Sequence, residues 1–247
     1  MLRRFVPLVL LLLACGIARV SAAPAPAGAG TAAPVRRYVL AILRSGHASV
    51  AVPSARLDTL RAGHMANIRR MFSDHRLVCA GPFLDDGELQ GIYLFDADSV
   101  AQVRPWLDGD PFLATGHMVC DLRCWYGPPG ISEVYRRAAA DPTRADSLEH
   151  YTLALMAPGP GATGGSARAS RSELRRHLAD LDHAAPAGRI VIAGAFEETD
   201  PLVGWCVYDT PDTAEARRWA TADPLVAAER LRPELHPWMT ARGILAH

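Results

Sequence analysis

Residues 76–83 read RLVCAGPF, and residues 189–196 read RIVIAGAF. The two stretches lie 113 positions apart, and the same offset aligns the chain with itself without a gap, from about residue 37 to 127 and from about 150 to 240. Pairs that are identical at this offset include Tyr38 and Tyr151, His64 and His177, Gly91 and Gly204, Trp106 and Trp219, Asp110 and Asp223, and Trp125 and Trp238. Self-similarity at a fixed offset indicates that one structural unit occurs twice in the chain.

Each copy has the hydrophobic pattern of the order β-α-β-β-α-β, which is the ferredoxin-like split βαβ arrangement. In the first copy, strands are predicted at 38–43, 76–80, 89–95 and 118–125, and helices at 57–71 and at 99–106 with Ser99 as N-cap. In the second copy, strands are predicted at 151–156, 189–193, 202–208 and 231–238, and helices from about 171 and from 212.

A four-stranded sheet with both helices on one face leaves its other face uncovered, and two such sheets can bury these faces against each other. We therefore predict an α+β fold in which two ferredoxin-like repeats, at 36–127 and 149–241, pack sheet to sheet as an intrachain pseudo-dimeric α/β barrel. Residues 128–148 would form the linker, with a short helix around residues 134–140.

The N-terminus has the pattern of an export signal. Arg3 and Arg4 precede an apolar run over residues 5–14, which is too short to span a bilayer as a settled helix. Residues 20–22 fit a cleavage site after a signal peptide at 1–22, whereas residues 12–15 resemble a lipobox that would end the signal at residue 14 and lipidate Cys15. Residues 23–35 would be a flexible tether. We expect an exported protein of the periplasm or cell envelope, soluble or lipid-anchored, with an uncleaved anchor as the remaining alternative.

The charge composition excludes several classes of function. The 26 basic residues are all Arg, and they balance 26 acidic residues. A general nucleic-acid binder needs a positive surplus, so we expect no nucleic-acid partner. Chemistry that depends on a lysine, such as Schiff-base formation, is excluded.

The cysteines and histidines do not indicate a metal site. Four cysteines follow Cys15, and no C-x-x-C motif occurs. Buried thiols are the favoured interpretation, while a Cys79–Cys206 bridge stays open because export implies an oxidising compartment. His47, His75 and His117 do not have the spacing of metal ligands. We expect no metal and no cofactor.

Several motifs of the first copy resemble the YCII-related (YciI-like) family. They are Arg61-Ala-Gly-His64, the run from Arg76 to Pro82, Gly91, Gly109-Asp-Pro-Phe112 and Gly116. The second copy matches through His177, residues 189–194, Gly204 and residues 222–225, and it departs where Arg61 becomes Leu174, Pro82 becomes Ala195 and Gly116 becomes Glu229.

The resemblance implies a dimeric α/β-barrel fold, which is usually made by two chains, and a His–Asp dyad in each repeat. Carried over, the dyads are His64 with Asp110 and His177 with Asp223. A dehydrochlorinase that acts on a chlorinated aromatic ring is one relative with an assigned reaction. Gly81 and Pro82 of the matching motif are predicted to contact a substrate.

The pattern around His64 supports a polar group that faces the sheet, because Leu60, Ile68 and Met71 share its helical face. A histidine whose ring N–H is held by a carboxylate is suited to act as a general base. The structural alternative is a satisfied core histidine beside an aspartate that starts a helix, since Asp-Pro is a good N-cap and first-turn pair. Arg61, one turn before His64, is a candidate for binding an anionic substrate, with an exposed, solvated arginine as the alternative.

Two functions remain. One is a small-molecule enzyme of the lyase or isomerase type that uses a His–Asp dyad as general base. The other is a non-catalytic envelope module that binds a small ligand or another protein, which is consistent with export and with the divergent second repeat. The expected partner is a small molecule, and further oligomerisation of the pseudo-dimer is left open.

Overall fold

The computed structural model describes residues 35–49, 53–141, 143, 147–163, 172–174, 176–178, 181, 188–198 and 201–246. The predicted signal peptide, the lipobox with Cys15 and residues 23–34 of the predicted tether lie outside the described residues. Within the described ranges, no helix is long and apolar enough to cross a membrane.

The first repeat has the predicted element order. Its elements are β1 (Arg36–Ser45), α1 (Ser54–Ser73), β2 (Leu77–Pro82), β3 (Leu89–Phe95), α2 (Val100–Leu107), α3 (Pro111–Ala114) and β4 (Met118–Gly127). Ser99 is the N-cap of α2, because its hydroxyl oxygen accepts a hydrogen bond from the amide of Gln102 at 3.3 Å.

The linker contains one helix, and the strands of the second repeat follow in the same order as those of the first. The elements are α4 (Glu133–Ala139) in the linker, then β5 (Leu148–Pro158), β6 (Ile190–Phe196), β7 (Gly204–Tyr208), α5 (Thr213–Thr221), α6 (Pro224–Ala227) and β8 (Leu231–Ala241). Residues 172–174, 176–178 and 181 are helical, and we call this segment the His177 helix. Arg136 fastens α4 to the first repeat, donating to the carbonyl oxygens of Phe72 at 2.7 Å and Leu77 at 2.5 Å.

The eight strands form one sheet in the order β2-β3-β1-β4-β6-β7-β5-β8. Each repeat supplies four neighbouring antiparallel strands, which is the ferredoxin-like order. The inner faces of both halves share one apolar core, in which Trp125, Trp205 and Trp238 are fully buried. Two further cores lie between the sheet and the helices of each repeat. The predicted α+β pseudo-dimeric barrel is therefore confirmed.

Strands of the two repeats meet at two places, which we call seams. The seams lie at equivalent positions of the two repeats, but their strands are paired to different extents. At one seam β4 pairs with β6, with Trp125 opposite Phe196 and Tyr126 opposite Ala195. At the other, Phe83, which directly follows β2, forms an isolated bridge with Trp238 of β8. There the Leu84 amide donates to the carbonyl oxygen of Pro237 at 2.9 Å, and the Thr240 hydroxyl donates to the carbonyl oxygen of Ala80 at 2.8 Å.

A glycine makes each seam possible. A Cβ atom at Gly81 would clash with the carbonyl oxygen of Met239 and with the indole of Trp238. The same holds for Gly194, which packs against the carbonyl oxygen of Tyr126 and the indole of Trp125. The AG pair shared by the two motifs RLVCAGPF and RIVIAGAF thus lets a strand of one repeat approach the last strand of the other.

The four described cysteines are free thiols. The bridge between Cys79 and Cys206 that the sequence left open is not formed, since the two residues lie in different apolar cores. Cys79, Cys124 and Cys206 are buried, as the favoured interpretation predicted. Burial raises the pKa of the Cys79 and Cys206 thiols to about 12.

Candidate active site

His64 and Asp110 come together in the first repeat. The ring nitrogen Nδ1 of His64 lies 2.8 Å from the carboxylate oxygen Oδ2 of Asp110. The Asp110 side chain is fully buried, whereas 16% of the His64 side chain is exposed. The carboxylate therefore lies behind the ring, and Nε2 is the ring nitrogen that the carboxylate leaves available.

Asp110 fills both of the roles that the sequence proposed for it. Its oxygen Oδ1 accepts a hydrogen bond from the Phe112 amide at 3.0 Å and caps α3, which begins with Pro111. Its other oxygen, Oδ2, receives the bond from His64. One carboxylate thus starts a helix and orients a ring.

Tyr93 is a third member of the site, and the sequence analysis missed it. Its hydroxyl donates to Oδ2 of Asp110 at 2.9 Å and lies 3.2 Å from Nδ1 of His64. Burial, followed by the charge of Asp110, raises the pKa of Tyr93, so the phenol keeps its proton as a donor. The alternation of β3 was the available signal, since Tyr93 shares with Phe95 the strand face that packs under α1.

The charge state of Asp110 follows from its hydrogen bonds. Burial alone would raise the pKa of this carboxyl group, but the bonds from the ring, the phenol and the Phe112 amide outweigh it, and the pKa lies below its ordinary value. The carboxylate is therefore ionised at neutral pH. Because an ionised carboxylate can only accept, Nδ1 of His64 carries the donated proton, and in the neutral form of the ring Nε2 is the nitrogen with the lone pair.

Gly63 explains how α1 comes close enough to α3 for this pair to form. A Cβ at Gly63 would lie 2.9 Å from Cγ of Pro111, so a larger side chain would push the helices apart. The edge of the His64 ring also packs on the Phe112 ring at 5.2 Å between centroids. The motif Arg61-Ala-Gly-His64 thus combines a close approach with the functional ring.

His64 lines a cavity of about 890 Å³. Around the ring the wall is formed by Leu43, Ile68 and Met118, with Tyr93 below. Most of the lining side chains are apolar, and Arg69, Ser73, Gln90, Asp141 and Thr240 are the polar exceptions besides His64, Tyr93 and Tyr135. A volume of this size matches the range of small-molecule sites.

The second dyad also forms, with a different ring nitrogen. Nε2 of His177 lies 2.6 Å from Oδ2 of Asp223, and Oδ1 of Asp223 caps α6 through the amides of Leu225 and Val226. Burial raises the pKa of Asp223, but the bonds from His177 and the two amides outweigh it and lower the pKa overall.

In the second repeat the tyrosine lies two residues later on its strand than it does in the first repeat. The position equivalent to Tyr93 is Cys206, and the position equivalent to Phe95 is Tyr208. Tyr208 bonds with the Cys206 thiol, and its pKa is raised by burial first and then by the charge of Cys206.

Two leucines close to His177 in the sequence are buried. Leu178 occupies the position of Met65, and its Cδ1 lies so close to Gly204 that a Cβ there would be 2.7 Å away. Leu178 is fully buried, whereas Met65 is 45% exposed at the rim of the first cavity. Leu174, at the position of Arg61, is buried as well.

An ion pair joins the His177 helix to the residue that precedes β8. Arg230, just before β8, donates to both carboxylate oxygens of Glu173, at 2.8 and 2.6 Å. The equivalent residues of the first repeat, His117 and Leu60, form no such pair. Among the described residues, His64 lines the cavity of about 890 Å³ and His177 does not.

The remaining predicted site residues fall in two places. Gly81 and Pro82 both line the cavity, and Gly81 also belongs to the seam. Arg61 is exposed, lies 3.6 Å from Asp58 and is not among the lining residues. Its binding of an anion stays a prediction. Among the described residues, no group of His, Cys, Asp and Glu side chains has the arrangement of a metal site.

Fold and site together define a dimeric α/β-barrel protein in which one chain supplies both halves and carries a buried His–Asp pair in each. The chain belongs to the family of the YCII-related domain, whose model matches residues 38–125 and 151–232.

Solved structures with a similar fold include chlorite dismutases from Candidatus Nitrospira defluvii. A mutant enzyme in complex with cyanide is 10% identical at a TM-score of 0.49, covering 85% of this chain and 92% of that chain. The enzyme in complex with imidazole is 11% identical at a TM-score of 0.44, with coverage of 85% and 92%. No curated protein sequence matches the chain.

Proposed function

We propose that the chain is an enzyme that moves a proton on a small molecule bound in the cavity beside His64, in a reaction of the lyase or isomerase type. The observation that carries the proposal is the placement of His64, whose ring lines the cavity while a buried, ionised carboxylate holds its other side. A core histidine would need the carboxylate, but it would not need the cavity.

The site residues have separate tasks in this proposal. Nε2 of His64 takes a proton from an acidic C–H group of the substrate, and Asp110 stabilises the imidazolium that forms. Tyr93 is a positioning residue, because its bond to Oδ2 fixes the carboxylate. In an elimination the electron pair of the C–H bond expels a leaving group, and in an isomerisation the ring returns the proton to a second carbon. A general base of this kind contributes about 10²–10⁴ in rate.

The second dyad has a structural task in the same proposal. Leu178 and Leu174 are buried against the second sheet, and His177 is not among the residues that line the cavity of about 890 Å³. The Asp223 carboxylate still caps α6 and still satisfies a ring nitrogen, which is reason enough for both residues to be present. Catalysis is therefore assigned to the first repeat alone.

Hydrogen exchange tests this assignment without knowledge of the product. Small organic acids and phenols are incubated with the protein in D₂O, and C–H signals are followed by proton NMR. We expect exchange or consumption of at least one compound, lost about 100-fold or more in His64→Gln and retained in the matched control His177→Gln. Equal rates in both variants would reject the general base.

The apolar lining favours one alternative, a module that captures a ligand without converting it. The same samples distinguish the two. Saturable binding of a compound whose C–H signals stay unchanged over hours supports the module and contradicts the enzyme.

Export is part of the proposal and rests on residues 1–22 alone. Mass spectrometry of the protein from a bacterial envelope fraction separates the two routes. A start at residue 23 supports soluble export, a lipid-modified Cys15 supports anchoring, and an intact residue 1 contradicts processing.

A further inference from the structure

The cavity beside His64 is longer than the dyad requires. From His64 to Ser73 it follows α1 for nine residues, which corresponds to about 13 Å at 1.5 Å per residue. The lobe away from His64 is enclosed by β2, by β8 and the segment after it, and by the linker helix α4. We call this part the distal lobe.

The walls of the distal lobe are mainly apolar and come from three separate parts of the chain. Its lining includes Phe72, Leu77, Ala80, Tyr135, Ala139 and Ile244, and the polar residues Ser73, Asp141 and Thr240 line the same end. Phe72 and Tyr135 meet edge to face at 5.8 Å between ring centroids. At this seam β2 and β8 form one isolated bridge, Phe83 with Trp238, instead of a continuous ladder, and residues of both strands line the lobe.

One basic side chain, that of Arg69, lines the cavity on α1 between His64 and the distal lobe. Arg69 lines the cavity and is exposed at its rim, and among the described residues no ion pair or hydrogen bond engages its guanidinium. The neighbouring Arg70, by contrast, donates to Asn67 at 2.6 Å and lies 3.6 Å from Asp74. The one carboxylate on the rim, Asp141, already accepts two hydrogen bonds from Thr143.

We infer that the cavity binds a carboxylate with an alkyl tail, with its head between His64 and Arg69 and its tail in the distal lobe. Arg69 lies five residues after His64, about 8 Å along the helix axis, which its long side chain can span toward a head group beside the ring. Neutralisation of the carboxylate by a guanidinium also favours loss of a proton from a neighbouring carbon. The inference deepens the proposed function, because this ligand class would include the substrate of His64.

Calorimetry with simple alkyl carboxylates tests the inference. The probes are acetate, hexanoate and decanoate, with decanol as the neutral molecule of the same length. We expect decanoate to bind and hexanoate to bind more weakly, by about three- to fourfold for each methylene that is removed. No heat with decanoate, or equal affinity for all chain lengths, would overturn the inference.

Two pairs of variants locate the head and the tail. Arg69→Gln should weaken decanoate about fivefold and leave decanol unchanged, while the exposed Arg56→Gln on the same helix changes neither. Ala139→Trp should block the distal lobe and weaken decanoate by tenfold or more without affecting hexanoate, and Ala138→Trp is the control outside the cavity. Binding that ignores Arg69 and Ala139 would place the ligand elsewhere. Circular dichroism confirms that each variant is folded.

Binding and catalysis can fail separately in these experiments. His64→Gln should lose the exchange activity and weaken decanoate only about as much as Arg69→Gln does, because the tail supplies most of the buried apolar area. Failure of decanoate to bind to a protein that still shows His64-dependent exchange would end the ligand assignment and leave the general base intact. Tight binding without exchange would end the enzyme proposal and leave the ligand assignment intact.

Discussion

Replacing Asp110 by Asn should move the proton on the His64 ring from Nδ1 to Nε2. The Asn oxygen can still accept from the Phe112 amide, as Oδ1 of Asp110 does at 3.0 Å. The amide NH₂ then faces Nδ1, at the place where Oδ2 lies 2.8 Å away. Because NH₂ can only donate, Nδ1 must become an acceptor, and the lone pair at Nε2 is lost.

The structure also fixes the stability cost. Oδ2 accepts two bonds, from His64 and Tyr93. The NH₂ group of Asn can only donate, so in D110N both bonds must reverse their direction, and each loses the part that depends on the charge of the carboxylate. Hydrogen bonds to charged groups contribute about 1 kcal/mol more than neutral ones, so D110N should lower the free energy of unfolding by about 2 kcal/mol. D110A removes the cap as well and leaves buried donors without an acceptor, so about 4 kcal/mol is expected.

Nitrogen-15 NMR of the histidine rings reads the tautomer directly, at a pH where a neutral ring dominates. In the parent protein we expect the Nδ1–H form for His64 and the Nε2–H form for His177, since the two rings face their carboxylates through different nitrogens. D110N should switch His64 alone, and the matched D223N should switch His177 alone. Exchange activity should fall about 10²–10⁴-fold in D110N.

Two results would refute this reasoning. An Nε2–H tautomer of His64 in the parent protein would mean that the carboxylate does not hold Nδ1. An unchanged tautomer in D110N, with urea denaturation showing almost no loss of stability in D110N and a clear loss in D110A, would mean that Asp110 acts as a helix cap only.

Three further outcomes are expected. Because the folded-state pKa of Asp110 is lowered, its contribution to stability is present above the ordinary carboxyl range and is lost as pH falls through the lowered value; urea denaturation from pH 7 to pH 3 should show a smaller loss for D110N than for the parent protein. Leu178→Ala should cost about 2–5 kcal/mol of unfolding free energy because that side chain is fully buried, while the exposed Met65→Ala should cost well under 1 kcal/mol, both measured by urea denaturation. Gly81→Ala should lower the melting temperature through overpacking at the seam, a cost of about 1–3 kcal/mol or more, whereas Gly87→Ala, where the nearest atom would be 3.9 Å away, should leave it within about 1 °C.

Periodicity and self-comparison were sufficient to predict the barrel and the helical face on which His64 lies. The apolar face that contains His64 and Ile68 really does point toward the sheet, and the Asp-Pro pair at 110–111 really does start a helix. These features depend on local spacing, which a sequence displays directly. The pairing of a histidine with an aspartate 46 positions away came from the family resemblance, and the structure confirms the contact.

The difference between the two cavities could not be predicted in the same way. Met65 and Leu178 are both apolar and follow a histidine in both repeats, so a hydrophobic pattern treats them alike. Their burial differs because the pattern gives the direction of a face and not the distance between a helix and its sheet. Tertiary contacts such as the ion pair of Glu173 with Arg230 join residues far apart in the chain, and no local pattern contains them. Tyr93 was missed for a related reason, since its partner lies on another element.

Fusion of the two repeats has a consequence for how such a barrel can change over time. In a barrel made by two identical chains, every substitution appears on both sides of the symmetry axis. Here the residue after the histidine is a buried leucine, Leu178, in one half and an exposed methionine, Met65, in the other, because each position is encoded once. The linker also makes the pairing of the halves intramolecular, so it does not depend on protein concentration. One half is thus free to specialise in holding the barrel together, and the other is free to adapt to a ligand.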